Sequence, residues 1–225
     1  MNDGLVSYLP LMAKAAGTSI WLSWLGLLFG IVVGAGIALL RRSHIAPLRW
    51  LALIYTEFWR SIPILIVMFF AYYGAPLLLG FDLSPFTAAT LALALHASAS
   101  MAEIIRAALA SVGRGQWEAA QAAGMSAWQV MRYVAAPQAL RVALPPSIGV
   151  FITTLKESSL ASVIGYIELT KTGLLVRDAT GGGLAPLLAL GALYFILNYA
   201  ISLAGLAAER RFHVGRRQDL VGAMT

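Results

Sequence analysis

Residues 153–162 read TTLKESSLAS and place a lysine and a carboxylate, Lys156 and Glu157, inside an otherwise apolar stretch. Both lie about ten residues, or roughly 15 Å of helical rise, beyond Pro146. In a membrane helix that is near the middle of the bilayer. An ionised side chain there costs at least roughly 2.5–3.5 kcal/mol unless it faces protein or water. Neighbouring residues sit about 100° apart around a helix, so the two cannot share one face as an ordinary ion pair. Thr153 and Thr154 fall one turn before Glu157, and Ser158 one turn after Thr154. Two readings stand. The hydroxyls and Glu157 form a polar stripe along a solvated cavity suited to a zwitterionic solute, or the charges tie the helix to its neighbours while the hydroxyls bond their own carbonyls. His96, also within an apolar run, is either a hydrogen-bonded contact between helices or a cavity residue.

Two i,i+3 pairs, Glu57 with Arg60 and Glu103 with Arg106, are spaced for helical ion pairing near a membrane surface, a structural role like that of Lys156 under the second reading. Enzyme chemistry finds little support. Ser158 and Ser159 have no histidine base in sequence, and His44 and His213 belong at the edge of apolar runs. With no cysteine and three separated histidines, the chain has neither disulfides nor a thiolate metal site.

The elements that must position these groups follow from the composition. At 225 residues, 60% hydrophobic, 12% charged and mean hydropathy +0.79, the chain has too little polar surface for a soluble globule. The expected fold is all-α, one polytopic membrane helix bundle, with spans at about 18–40, 61–80, 85–110, 146–165 and 184–208. The first is too long for a signal-peptide core and ends in Arg41 and Arg42 without a cleavage pattern. Leu5 to Ala16, short and holding Lys14, reads as an interfacial helix. Gly26, Gly30 and Gly34 recur every four residues and point to close helix packing.

Five spans put the termini on opposite sides. Arg41, Arg42, Arg49, Arg60, Arg106, Arg114, Arg132, Arg141, Arg210, Arg211, Arg216 and Arg217 fall with the first loop, the long loop at about 111–145 and the C-terminus; the other side carries Lys14, Lys171 and Arg177. By the positive-inside rule the N-terminus is outside, and the C-terminus and the long loop are cytoplasmic. The net charge of +6 is therefore topological, and nucleic acid is excluded as a partner. The loop is polar and helix-forming from Glu118, with Gly124 as a break, and suits docking onto a soluble protein.

Glu118-Ala119-Ala120, Gly124 and Pro137 resemble the EAA loop of ATP-binding-cassette importer permeases, with Val134 and Ala136 where that pattern more often has Ile and Leu. Tyr55-Thr-Glu57-Phe-Trp-Arg60-Ser-Ile-Pro63, Ala102-Glu103-Ile-Ile-Arg106, Gly115-Gln116-Trp-Glu118, Pro137-Gln138-Ala-Leu-Arg141, Leu144-Pro145-Pro146 and Leu155-Lys156-Glu157-Ser158-Ser159-Leu160 are similar to the polar amino-acid uptake branch, permeases for histidine, glutamine and arginine. Together they cover about half the chain. Ser100 stands where the branch often has an aromatic residue, and Ala107 and Ala108 where it has glycines, so Ser100 joins the pathway candidates.

The resemblance implies a multi-pass permease of the bacterial inner membrane, importing a polar or charged amino acid. Its partners would be ATPase subunits, a second permease, identical or similar, and an extracytoplasmic solute-binding protein. Glu118, Ala119, Ala120, Gly124 and Met125 would carry the coupling contact. The chain has no phosphate-cradling Gly-rich Lys-Ser/Thr loop, so ATP and Mg belong to the partner ATPase, and this chain binds no cofactor. The alternative is an ion-coupled secondary transporter using the intramembrane charges and His96.

Overall fold

The computed structural model describes the backbone of residues 3–222 and the side chains of residues 6–78 and 80–210; the side chains of Arg211, His213, Arg216 and Arg217 lie outside that description. Helix α1 runs from Asp3 to Leu40 without a break. The apolar residues that fill it continue through 5–16, so that segment is the first turns of the span and not a separate interfacial helix. Met12, Ala15 and Ala16 are buried. The chain then turns at Arg41 and Arg42 into α2, Ala46–Ser61, opened by a proline in its first turn.

Here the chain departs from the expected second span at 61–80. Pro63 bars the helical conformation at the residue before it, and Ile62 is extended (φ −91°, ψ 129°). Helix α3, Ile64–Phe69, sets off at 98° to α2. A wide π turn over Phe70–Gly74 leads into α4, Ala75–Leu79. The bent pair 46–61 and 64–78 makes one crossing only if taken together.

Helix α5, Pro85–Ala110, is capped by Ser84, whose hydroxyl accepts the Thr87 N–H at 3.1 Å. It is the spine of the bundle. Gly26, Gly30 and Gly34 of α1 lie against Leu93, Ala97 and Ser98, close enough that no side chain fits between the two backbones. Helix α2 runs antiparallel to α5. Arg49 shares a cleft with Arg106, Tyr55 meets Ser98, and Trp59 lies by Leu95.

Beyond α5 come α6, Arg114–Ala122, and a single turn α7, Ala127–Gln129, held by a capping box in which Ser126 and Gln129 exchange hydrogen bonds. A second π turn, Val130–Ala135, feeds α8, Ala136–Glu157. The span expected at 146–165 is thus part of a longer helical run, 127–164, that passes through Pro145 and Pro146. Its last turns, Ser158–Ile164, tighten to 3₁₀ geometry and stop at Gly165. Helix α9, Leu169–Ala179, packs with the start of α1, and α10, Ala185–Gly222, closes the chain.

Among the described residues four stretches, 6–40, 85–110, 127–164 and 185–210, are long and apolar enough to cross a membrane, and the bent pair makes a fifth if counted as one. The protein is an all-α polytopic membrane helix bundle. One core joins α1, α3, α5 and the 3₁₀ turns around Leu22, Met68, Leu93 and Ala161; a second joins the end of α5 to the start of α8 around Leu109 and Ala139.

Candidate functional site

The middle of α5 and the far half of α8 enclose a cavity of about 330 Å³, inside the roughly 300–1,000 Å³ typical of small-molecule sites. His96, Ser100, Thr153, Thr154 and Glu157 line it, with Pro146, Gly149 and Val150. His96 Nδ1 and Glu157 Oε2 are 3.2 Å apart across 61 residues of sequence, a hydrogen bond in which the Nδ1–H tautomer donates. Both side chains keep about a fifth of their surface open, so the pair is joined and still reachable from the cavity. His96 is at the midpoint of α5, which places Glu157 at mid-depth in the bundle. The rest of the cavity lining is hydroxyl and apolar groups. Ser100 is half-buried, and Thr153 is exposed.

Of the sequence-predicted stripe, Thr153 and Thr154 reach the cavity and Ser158 does not. Ser158 is buried, and its hydroxyl donates to Leu155 O at 2.9 Å; Thr154 likewise donates to Val150 O. Lys156, about 100° from Glu157, is exposed and has no acidic partner among the described residues. The pair Glu57–Arg60 is loose at 3.9 Å and exposed. It was expected near the membrane surface. The antiparallel run of α2 sets it level with residues 95–98, near the middle of α5.

Glu103 and Arg106 do pair near the end of α5. Arg106 donates Nε and Nη2 to Glu103 Oε2 at 3.0 and 2.8 Å, and Arg41, just past the end of α1, donates to Oε1 at 2.8 Å and to Thr56 of α2 at 3.3 Å. Arg41 therefore ties the end of α1 both to Glu103 of α5 and to Thr56 of α2. No local spacing could mark Arg41, 62 positions away, as a partner of Glu103.

A second knot, also unforeseen, lies at the opposite end of the bundle. Glu168 is fully buried at the N-cap of α9. It accepts the backbone N–H groups of Thr170 and Lys171 at 2.9 and 2.8 Å, and the hydroxyls of Ser19 and Tyr194 at 3.0 Å each. Ser19 in turn accepts the Leu169 N–H. Burial pushes the Glu168 carboxyl above the usual carboxylate range, against the pull of its four donors, and burial likewise raises nearby Tyr166.

The loop holds its own geometry. Gly124, at φ +78°, closes α6: Met125 N–H donates to Ala120 O at 3.1 Å and Gly124 N–H to Gln121 O at 2.9 Å. These are the two bonds of a Schellman ending, which needs the left-handed conformation at that residue. The EAA-to-Gly spacing is thus the length that brings Ala120 into the turn. Glu118 and Ala119 are exposed while Ala120 is buried, Met125 is half-buried, and Trp128 and Tyr133 stand open to surroundings outside the chain. Arg42 stacks over Trp117 at 5.0 Å, bracing α6 against the end of α1.

The family of binding-protein-dependent transport system inner membrane components matches residues 11–214. The probable amino-acid ABC transporter permease YckA of Bacillus subtilis is 42% identical over 160 residues, covering 71% of this chain and 70% of that protein. The glutamine transport system permease GlnP of Escherichia coli K12 is 35% identical over 209 residues, covering 92% of this chain and 94% of that protein. Among solved structures, an amino acid ABC transporter with histidines shares the fold at TM-score 0.85 and 36% identity, covering 92% of this chain and 96% of that one. The methionine transporter MetNI in an inward-facing form, at 21% identity, reaches 0.79 over 94% and 99%.

Proposed function

Because the chain belongs to the inner-membrane component family of binding-protein-dependent transport, as an amino-acid ABC importer permease, we propose that the cavity between α5 and α8 is its solute pathway. The protein is a multi-pass inner-membrane transport subunit, and ATP hydrolysis belongs to a separate ATPase subunit. The observation that carries the pathway reading is the His96–Glu157 pair, a carboxylate and an imidazole held together at mid-depth yet open to a cavity with hydroxyl groups. Glu157 receives the ammonium of a polar or charged amino acid, and His96, Ser100 and Thr153 take its remaining polar groups. Support also comes from Arg60 and Lys156. Both are exposed at a depth where lipid is a costly neighbour, which favours water or a second permease subunit, identical or similar, across from them.

In this reading the N-terminus is outside and α6 faces the cytoplasm. Arg41, Arg42, Arg49, Arg106 and Arg114 gather at one end of the bundle, and Lys171 and Arg177 on α9 lie at the other. Exposed Glu118 and Ala119, with Met125 after the Gly124 turn, enter the ATPase, which holds ATP and Mg; a solute-binding protein delivers cargo from the opposite face. ATP binding shifts the permease between inward- and outward-open states only through contacts that differ between them, and α6 is where those contacts form.

The test is reconstitution with candidate ATPases and binding proteins, reading which amino acid stimulates ATP turnover, for the wild type and for Glu157→Gln and His96→Gln. The expected result is ATP-dependent uptake whose KM or selectivity shifts in both variants. Uptake driven by an ion gradient without ATP, as in a secondary transporter, or unchanged kinetics in both variants would overturn the pathway assignment.

A further inference from the structure

The basic end of the bundle holds a cleft with no part in the proposed pathway. Arg41, Arg49, Trp50, Leu53 and Arg106 line a volume of about 270 Å³ between α1, α2 and α5. Three arginines line it, and among the described residues the carboxylate paired with any of them is Glu103, held by Arg41 and Arg106. Both oxygens of Glu103 are already taken, Oε1 by Arg41 and Oε2 by the fork of Arg106. Arg49 is exposed and has no acidic partner among the described residues. Three positive groups against one negative leave the cleft with two charges unanswered, and guanidinium N–H groups suit an oxyanion.

Beside this charge α2 is open and apolar. Trp50, Leu51 and Ile54 expose 60%, 63% and 61% of their surfaces, and Trp50 belongs both to this strip and to the cleft wall. A compact basic cleft continued by an apolar strip, with an indole at the junction, matches a molecule that is anionic at one end and hydrocarbon at the other.

We propose that this cleft holds the phosphate of an anionic phospholipid from the leaflet nearest α6, with its acyl chains along Trp50, Leu51 and Ile54. Arg49 is the principal ligand, since it alone of the three is uncommitted. A free phosphate shares the headgroup chemistry but has no use for the apolar strip. The headgroup also sits against the Arg41–Glu103–Arg106 knot, so its binding stiffens the joint between α1, α2 and α5. The site rests on the position of the basic end and is independent of the solute cavity.

The test uses the full transporter complex, delipidated and examined by native mass spectrometry while phosphatidylglycerol or phosphatidylcholine is titrated in. Phosphatidylglycerol is expected to be retained over phosphatidylcholine. Arg49→Ala should weaken that retention roughly ten-fold or more, the size of one lost charged hydrogen bond, Arg49→Lys should keep part of it, and excess inorganic phosphate should not displace the lipid. Equal retention of the two lipids, or no effect of Arg49→Ala, overturns the proposal. Displacement by inorganic phosphate would make this a free-phosphate site. Weakened subunit assembly in Arg49→Ala with lipid retention unchanged would assign the surface to a second copy of the chain. The wild-type comparisons stand even if the variants misfold.

Discussion

Replacing Gly34 by alanine tests one of the close contacts between α1 and α5, and Gly36 on the same helix is its internal control. A Cβ at Gly34 would lie 2.7 Å from Ser98 O, 2.9 Å from Met101 Cβ and 3.0 Å from Ala102 N, whereas nothing lies within 4 Å of one at Gly36. Ordinary contact begins near 3.4 Å, so restoring it at Ser98 O requires α1 and α5 to part by 3.4 − 2.7, or about 0.7 Å. The obstructing atoms are backbone or Cβ and cannot swing aside. A gap of that size forfeits roughly a quarter to a half of each dispersion contact it touches, and such overpacking costs about 1–3 kcal/mol. At Gly36 the methyl meets no obstacle, and better helix propensity gives a change between zero and about 1 kcal/mol of stabilisation. The assay is reversible unfolding of the purified transporter in mixed micelles, with ATP-driven uptake measured in parallel. Gly34→Ala should be the less stable variant by more than 1 kcal/mol and should lose uptake, because Ser98, partner of Tyr55 at 2.7 Å, moves with the α5 backbone. Equal stability of the two variants, within about 0.5 kcal/mol, would refute the close-packing argument.

Gly124→Val meets no steric obstacle but demands a left-handed β-branched residue at φ +78°; membrane insertion should survive while ATP hydrolysis and uptake become uncoupled, and normal transport with normal hydrolysis would count against the loop assignment. Glu103→Gln removes the charge shared by Arg41 and Arg106 and should lower stability by about 1–3 kcal/mol, read by thermal unfolding; no shift would show that the knot is redundant. Burial raises the Glu168 carboxyl above its ordinary value of 4.5, so the stability it contributes is complete below about pH 4.5 and declines as pH rises through the raised value. Glu168→Gln should flatten the stability profile across that window, and a variant with the wild-type slope would assign the titration to another group.

The apolar runs made the bundle legible, and the EAA-to-Gly interval made the α6 turn legible, because both are local. The boundaries were less so. Glu57 and Arg60 read as surface charges, which pushed the second span to Ser61, although α2 starts at Ala46 and the true interruption is at Ile62, where Pro63 forbids helix. The fourth span is expected from Pro146, yet packing at Ala139 and Ala143 carries α8 through Pro145 and Pro146 from Ala136. His96 and Glu157 each stood out as polar groups in apolar surroundings, but their contact over 61 residues could not be read from either one. Glu168 was missed because glutamate is an uncommon N-cap; the signal was there in an acid set just ahead of the amphipathic stretch LTKTGLLV.

Consecutive prolines in α8 leave residues 145 and 146 without amide hydrogens to engage the carbonyls of Arg141 and Val142. That stretch lies between the α6 loop at one end and Glu157 at the other. A rod with a soft joint converts a push into an angle. Its far half can tilt about the joint without breaking hydrogen bonds that were never made, and a small tilt, magnified over the three turns between Pro146 and Glu157, swings the carboxylate toward or away from His96.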